Sequence, residues 1–150
     1  MTTSDQIRKQ IHLKAPVSRV WQALTDAEQF GQWFRVKLDD PFVAGRSASG
    51  HILAPGYEHL RMTVWVEAVE PETRFAFRWH PYAIDPAIDY AKEEPTLVEF
   101  VLAPEAGGTL LIVTESGFDR VPAARRDEAF RMNDGGWTIQ MDNIRAHVER

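Results

Sequence analysis

Residues 61–79 read RMTVWVEAVEPETRFAFRW. Met62, Val64, Val66 and Ala68 alternate with Thr63, Trp65 and Glu67, the two-residue period of a half-buried strand. Glu70-Pro71-Glu72 breaks the alternation, and Pro71 suits the second position of a tight turn. Phe75, Phe77 and Trp79 then share one face, with Arg74, Arg78 and His80 on the other. Two such runs around a short turn make a hairpin with one strongly apolar face. Residues 96–116, TLVEFVLAPEAGGTLLIVTES, repeat the pattern. Val98, Phe100 and Leu102 share a face, Ala106-Gly107-Gly108 makes the turn, and Leu111, Val113 and Glu115 return on that same face.

Working outward, residues 6–13, QIRKQIHL, alternate with Ile7, Ile11 and Leu13 on one side. Pro16 opens a helix whose Val17, Val20, Trp21 and Leu24 form one stripe. Thr25-Asp26-Ala27-Glu28 has the form of a capping box and starts a second short helix through Phe30 and Trp33. Phe42, Val43, Ile52 and Leu53 suggest one or two strands around Gly45 and Gly50. Between the two hairpins, Asp85-Pro86 predicts a capped helical turn reaching Tyr90. Phe130, Trp137, Met141, Ile144 and Val148 mark a long C-terminal helix, in which Gly135-Gly136 predicts a kink or a break. Strands that follow one another as hairpins, with helices before and after them, give an α+β class and not a doubly wound nucleotide fold. One long helix can cover the single apolar face of such a sheet.

Composition narrows the chemistry. The chain has 150 residues, net charge -5 and no cysteine. Its length fits one domain over residues 1–150. Without cysteine, disulfides, thiolate metal sites and a cysteine nucleophile are excluded. The acidic balance and scattered arginines disfavour nucleic-acid binding. The residues 1–10, MTTSDQIRKQ, carry no signal-peptide pattern, and no apolar run is long enough for a membrane span, so a cytoplasmic protein is expected. No serine lies in a nucleophile elbow, and no phosphate-loop or dinucleotide fingerprint is present.

Ala15-Pro16, Val20-Trp21, Leu24-Thr25-Asp26 and Trp33-Phe34 together resemble the opening signature of the START-like, SRPBCC superfamily. The two hairpins and Gly136-Trp137 in the last helix carry the resemblance from Ile7 to Val148. The nearest branch resembled is the activator of heat-shock protein 90 ATPase homologue-like group. This resemblance implies a helix-grip fold: a curved antiparallel sheet around the C-terminal helix, two short helices after strand one, and a cavity between sheet and helix. Superfamily members bind sterols, lipids, hormones and polyketides, and some are cyclases or aromatases. The eukaryotic activator also uses a separate N-terminal domain with an Asn- and Trp-rich motif, which this sequence lacks, and that argues against a chaperone partner.

On this reading the main expectation is a non-enzymatic binder of a small hydrophobic or aromatic molecule, with no cofactor. Trp33, Phe77, Trp79, Phe100 and Phe130 are candidate cavity walls, and Tyr90, Val113, Trp137 and Met141 complete the set. The competing reading is a solid aromatic core, since aromatic rings at these spacings commonly just pack. Glu115 falls on the apolar face, where a carboxylate is costly unless paired or protonated. It is the candidate polar anchor, or the acid/base of a cyclase, aromatase or hydrolase. The glycine after Ser116 places it instead at the rim. His80, Tyr82 and Asp85 are candidate rim or lid residues, since the segment after Trp79 could cover a cavity mouth. Metal binding is not expected, because their spacing matches no ligand framework. His12, His51, His59 and His147 are read as surface residues. Trp65 falls on the outer sheet face, where exposure would mark a protein interface, a homodimer or a co-chaperone-like contact among the candidates.

Overall fold

A computed structural model describes residues 5–85 and 87–150. Strand β1 spans Gln6–Leu13, helices α1 and α2 span Val17–Thr25 and Ala27–Phe34, and β2 and β3 span Val36–Leu38 and Ser47–Ile52. Strands β4 (Arg61–Glu70), β5 (Arg74–Trp79), β6 (Thr96–Glu105) and β7 (Gly108–Ser116) follow, and helix α3 is Ala123–Val148. The seven strands form one antiparallel sheet in the order β1-β7-β6-β5-β4-β3-β2. The sheet curves around α3 in a helix-grip arrangement, so the α+β reading holds.

The alternation that predicts the strands also orients them. Ile7, Ile11 and Leu13 of β1, Met62, Val64 and Val66 of β4, and Phe75 and Phe77 of β5 are buried. From β6 and β7 come Val98, Phe100, Leu102, Leu111 and Val113. A register shift between Val66 and Ala68 changes the parity of β4. Beyond this bulge Val69 packs on the core opposite Phe75, and Ala68 leaves the face that the unbroken alternation assigns to it. A bulge inserts a residue that a strict period cannot anticipate. Hairpin β6–β7 closes tightly on Ala106-Gly107, with Gly107 at φ 80°.

The two short helices meet at Asp26. Its carboxylate accepts from the backbone N–H of Glu28 and Gln29, at 2.9 and 3.2 Å, and so caps α2. The cap is thus Asp26 and not Thr25, whose hydroxyl donates to Trp21 O within α1. Phe42, Val43 and Leu53 lie outside the strands.

Helix α3 is continuous, which corrects the predicted break at Gly135-Gly136. Neither glycine adopts a positive φ. Glycine lowers helix propensity by about 1 kcal/mol, a cost that packing of the flanking turns overrides. Trp137, Met141, Ile144 and Val148 are buried against the sheet. His147 is buried with them, contrary to its reading as a surface residue. It follows Ile144 by three positions and so lies on the same helical face. Among the described residues no helix is long and apolar enough to cross a membrane.

Candidate ligand-binding site

The sheet–helix space is filled mainly by rings. Phe42 meets Phe75, Phe75 stacks on Phe100, and Phe100 meets Trp137 edge-on, in an unbroken series. Phe75, Phe77 and Phe100 are fully buried. The interior of the grip is therefore solid at its centre.

Open volume lies where β5 ends. A cleft of about 450 Å³ is bounded by Phe34, Met62, Trp65, Trp79, Tyr82 and Tyr90. Beside it lies a recess of about 160 Å³ between Phe34, Trp79, Asn133, Gly136, Trp137 and Gln140. The two share Phe34, Trp79 and Asn133. The cleft is within the size range that holds small molecules. The ring centroids of Phe34, Trp79 and Trp137 form a triangle with sides of 5.9, 5.7 and 6.2 Å. A Cβ added at Gly136 would meet nothing within 4 Å, so this glycine leaves a notch in α3 beside the triangle.

Glu115 holds that triangle in place. It is fully buried, at 0% exposure, between Ile7 of β1 and Val98 of β6. Although it is the penultimate residue of β7, its full burial between two paired strands overturns the rim reading. One carboxylate oxygen accepts from Trp137 Nε1 at 2.8 Å and Asn133 Nδ2 at 2.9 Å. The other accepts from Trp79 Nε1 at 2.7 Å and Thr96 Oγ1 at 2.6 Å. A carboxylate offers about four lone-pair sites, and the protein supplies four donors. Burying this group is tolerated because it is fully hydrogen-bonded. The protein's own donors thus occupy both oxygens of the carboxylate.

The segment after Trp79 forms the outer wall. Tyr82 has φ 50°, a left-handed conformation that is strained for a bulky side chain. Arg125 of α3 ties the segment down. It donates to Pro81 O at 2.7 Å, donates twice to Glu93 Oε1 at 2.6 and 2.9 Å, and lies 4.8 Å over the Tyr90 ring. Tyr90 Oη accepts from Asp85 N, and Asp85 Oδ1 accepts from Ala87 N. The helical turn predicted from Asp85 is instead a tight Asx-type turn, followed by a short 3-10 turn over Tyr90–Lys92 capped by Asp89. Pro86, on which that prediction also rests, lies outside the described residues. His80 stands edge-on to Trp65, and its Nδ1 is buried without a hydrogen-bond partner. Burial lowers its pKa from the ordinary histidine value, against the opposing pull of Glu93. Burial also pushes the Tyr82 phenol up.

The structure thus brings together Trp79, His80, Tyr82, Tyr90 and Trp137 around open space. The others it places elsewhere. Phe77, Phe100, Val113 and Met141 are core. Trp33 turns its Nε1 to Ala23 O at 2.7 Å and packs between the short helices. Phe130 packs against Phe118, one turn short of the recess. Asp85 shapes the wall without lining the cleft. Phe34, Thr96 and Asn133 are the contributors that sequence reading missed. Thr96 shares strand parity with Val98 and Phe100, and Asn133 lies one turn before Trp137, so both carried a signal.

A wider groove of about 790 Å³ lies between α2 and β2. Its three aspartates already have structural partners: Asp26 caps α2, Asp40 accepts from Ser49 N, and Asp39 pairs with Arg61 at 2.8 Å. The Arg61 hydrogen bond holds the Asp39 carboxyl below the usual carboxylate range. Among the described residues no group of three or more His, Asp or Glu is arranged to hold a metal ion.

Comparison with known proteins follows the same lines. A family model described as "Activator of Hsp90 ATPase homolog 1-like protein" matches residues 14–149. No curated protein matches the sequence. Among solved structures, DynU16, a protein of the dynemicin biosynthetic locus, is 26% identical at a TM-score of 0.74. The match covers 98% of this chain but 48% of DynU16, so the chain spans about half of that protein's length. Protein MLL2253 of Mesorhizobium loti is 23% identical at TM-score 0.76, covering 97% of both chains. The Aha1 dimer of Colwellia psychrerythraea is 15% identical at TM-score 0.71, covering 96% of both chains.

Proposed function

The chain belongs to the activator of Hsp90 ATPase homolog 1-like family, and from that premise we propose that it binds a small, flat hydrophobic or aromatic molecule in the cleft between β5, α3 and the 80–93 wall. The observation that carries this reading is the ring triangle of Phe34, Trp79 and Trp137, open on one side beside the Gly136 notch. Two of its three indoles and phenyls are fixed by the same carboxylate, so the surface is ordered before any ligand arrives. Preorganisation of this kind lowers the cost of binding. Asn133, Thr63 and Arg61 supply polar contacts at the edges.

Glu115 serves as a positioning residue in this reading. With all four acceptor sites occupied it supports a binding role for the cleft over an acid/base role in a cyclase or hydrolase. The flat faces of the three rings make planar aromatic compounds the first class to screen. The Colwellia protein's dimeric state makes self-association part of the same reading for this chain.

The test is a panel of planar aromatic, sterol and fatty-acyl compounds, read by melting temperature and by quenching of tryptophan fluorescence. A ligand at a hundred times its Kd stabilises the folded state by about 2.7 kcal/mol. Ala91→Trp, which places a large ring in the cleft, should abolish both signals without unfolding the protein. A hit that binds equally well to A91W would place the site elsewhere, and a panel with no stabilising compound would count against the proposal.

A further inference from the structure

Helix α3 has an outer face that no other described residue covers. Ile139 is 62% exposed and Met132 is 38% exposed. Gly135 and Gly136 lie between them, and a Cβ at either would meet nothing within 4 Å. The chain's own packing therefore does not require glycine there, and neither residue has a backbone conformation that needs it. Two glycines in a helix interior still cost about 1 kcal/mol each. Close approach of another backbone is the situation in which side-chain-free positions are favourable.

The residues around the glycines are arranged symmetrically. Met132 lies as far before the Gly135–Gly136 midpoint as Ile139 lies after it. At 100° per residue, all four fall within one arc of the helix. Arg131 and Asp142 flank this arc on one side, Glu128 falls inside the arc near that side, Arg145 lies beyond the flank, and all four are exposed. The ion pair of Arg145 with Asp142 on this flank is loose at 3.7 Å.

We infer that this face binds a second copy of the chain, with two α3 helices crossing antiparallel on a two-fold axis at Gly135–Gly136. A two-fold contact requires a self-complementary surface. Here the axis sets Met132 against the partner's Ile139 and glycine against glycine. It sets Arg131 near the partner's Asp142, and Glu128 within reach of the partner's Arg145. Every contact is made twice. Gly136 also borders the recess of Phe34, Trp79 and Trp137, so the partner helix runs along the edge of the cleft. The inference does not depend on any ligand in that cleft.

The experiment is sedimentation velocity on the full chain, from micromolar to millimolar concentration. Wild type is expected to move from monomer to dimer, with weaker association at high salt. Ile139→Arg should remain monomeric throughout, with circular dichroism and melting temperature unchanged because the position is exposed. Arg131→Glu should weaken the dimer by bringing like charges together, and the double variant R131E/D142R should restore it. A wild-type chain that stays monomeric at millimolar concentration overturns the inference. A dimer that survives I139R also overturns it, and would move the contact to another face such as that of Trp65, which is 42% exposed.

Discussion

Trp137 donates its indole N–H to Glu115 at 2.8 Å, joining the middle of α3 to the C-terminal end of β7 through a group with no exposed surface. Asn133 of α3 donates to the same carboxylate at 2.9 Å, and Asp134 pairs with Lys9 of β1 at 3.0 Å. The remaining helix–sheet contact is mainly apolar and non-directional, so these polar links fix the rotation of the helix over the sheet.

Replacing Glu115 should therefore be costly to the fold. Glu115→Leu strands two indole N–H groups, the Asn133 amide and the Thr96 hydroxyl. Each stranded buried group costs about 1–3 kcal/mol, so a loss of several kcal/mol is expected. Glu115→Gln should cost less, since only the donor facing its amide nitrogen is lost and Thr96 can rotate to accept. Urea denaturation of the three proteins checks the order. An unchanged midpoint for E115L would remove the positioning role.

Arg125 is the corresponding fastener for the cleft wall. Arg125→Met keeps the stem but removes the bonds to Pro81 O and Glu93. The pair is largely shielded from solvent, so a loss of about 1–3 kcal/mol is expected. The sharper sign is local. Hydrogen exchange and proteolytic nicking should speed up between residues 82 and 93 while β6 and β7 stay protected. Uniform acceleration across the chain would contradict the fastener role.

Two glycines should respond in opposite directions to the same change. A Cβ at Gly108 would sit 1.9 Å from Leu13 O, within the backbone of the neighbouring strand. Gly108→Ala must push β1 away from β7 and should destabilise by several kcal/mol. At Gly135 the same Cβ meets nothing, so Gly135→Ala should stabilise the monomer by about 0.5–1 kcal/mol. Thermal melts at low protein concentration compare the two.

Stability should fall on mild acidification. Burial, helped by Arg150 and Arg19, lowers the pKa of His147, and burial lowers that of His80. The unfolded chain takes up protons at these sites near the ordinary histidine value of about 6.5, where the folded chain still refuses them. Stability is thus fully present above that value, and is lost as pH falls below it until the folded groups titrate as well. The melting temperature should drop between about pH 7.5 and about pH 5.5, and His147→Gln should flatten part of that slope. A melting temperature that rises over this interval would contradict the assignment.

Much of the fold was legible because strand alternation and helical stripes are local. Glu115 illustrates both the reach and the limit of that legibility. Strand parity alone put it on the apolar face. Its four donors come from β5, β6 and α3, and no local pattern shows that these converge. The rim reading correctly took Gly117 as the end of the strand, but a strand end flanked by β1 and β6 and covered by α3 is buried, which no local pattern shows. Trp33 and Phe34 show the same limit on a helix. They are adjacent in sequence but about 100° apart on the helix. One turns inward to Ala23 and the other faces the recess. The break expected at Gly135-Gly136 came from propensity, which tertiary packing of α3 overrides.

The pairing of β1 with β7 also bears on how the protein is made. Leu13 pairs with Thr109 and Gln6 with Ser116, so β1 must wait for β7, about a hundred residues later, to be synthesised. At ribosomal rates that interval is roughly 5–20 s. Throughout it, Ile7 and Ile11 have no strand to pair with, and the edge of β1 is open to other chains. Closing this contact is the long-range step that should govern the folding rate. Aggregation during expression should therefore be sensitive to changes in β1 that leave the finished protein's stability almost unaltered.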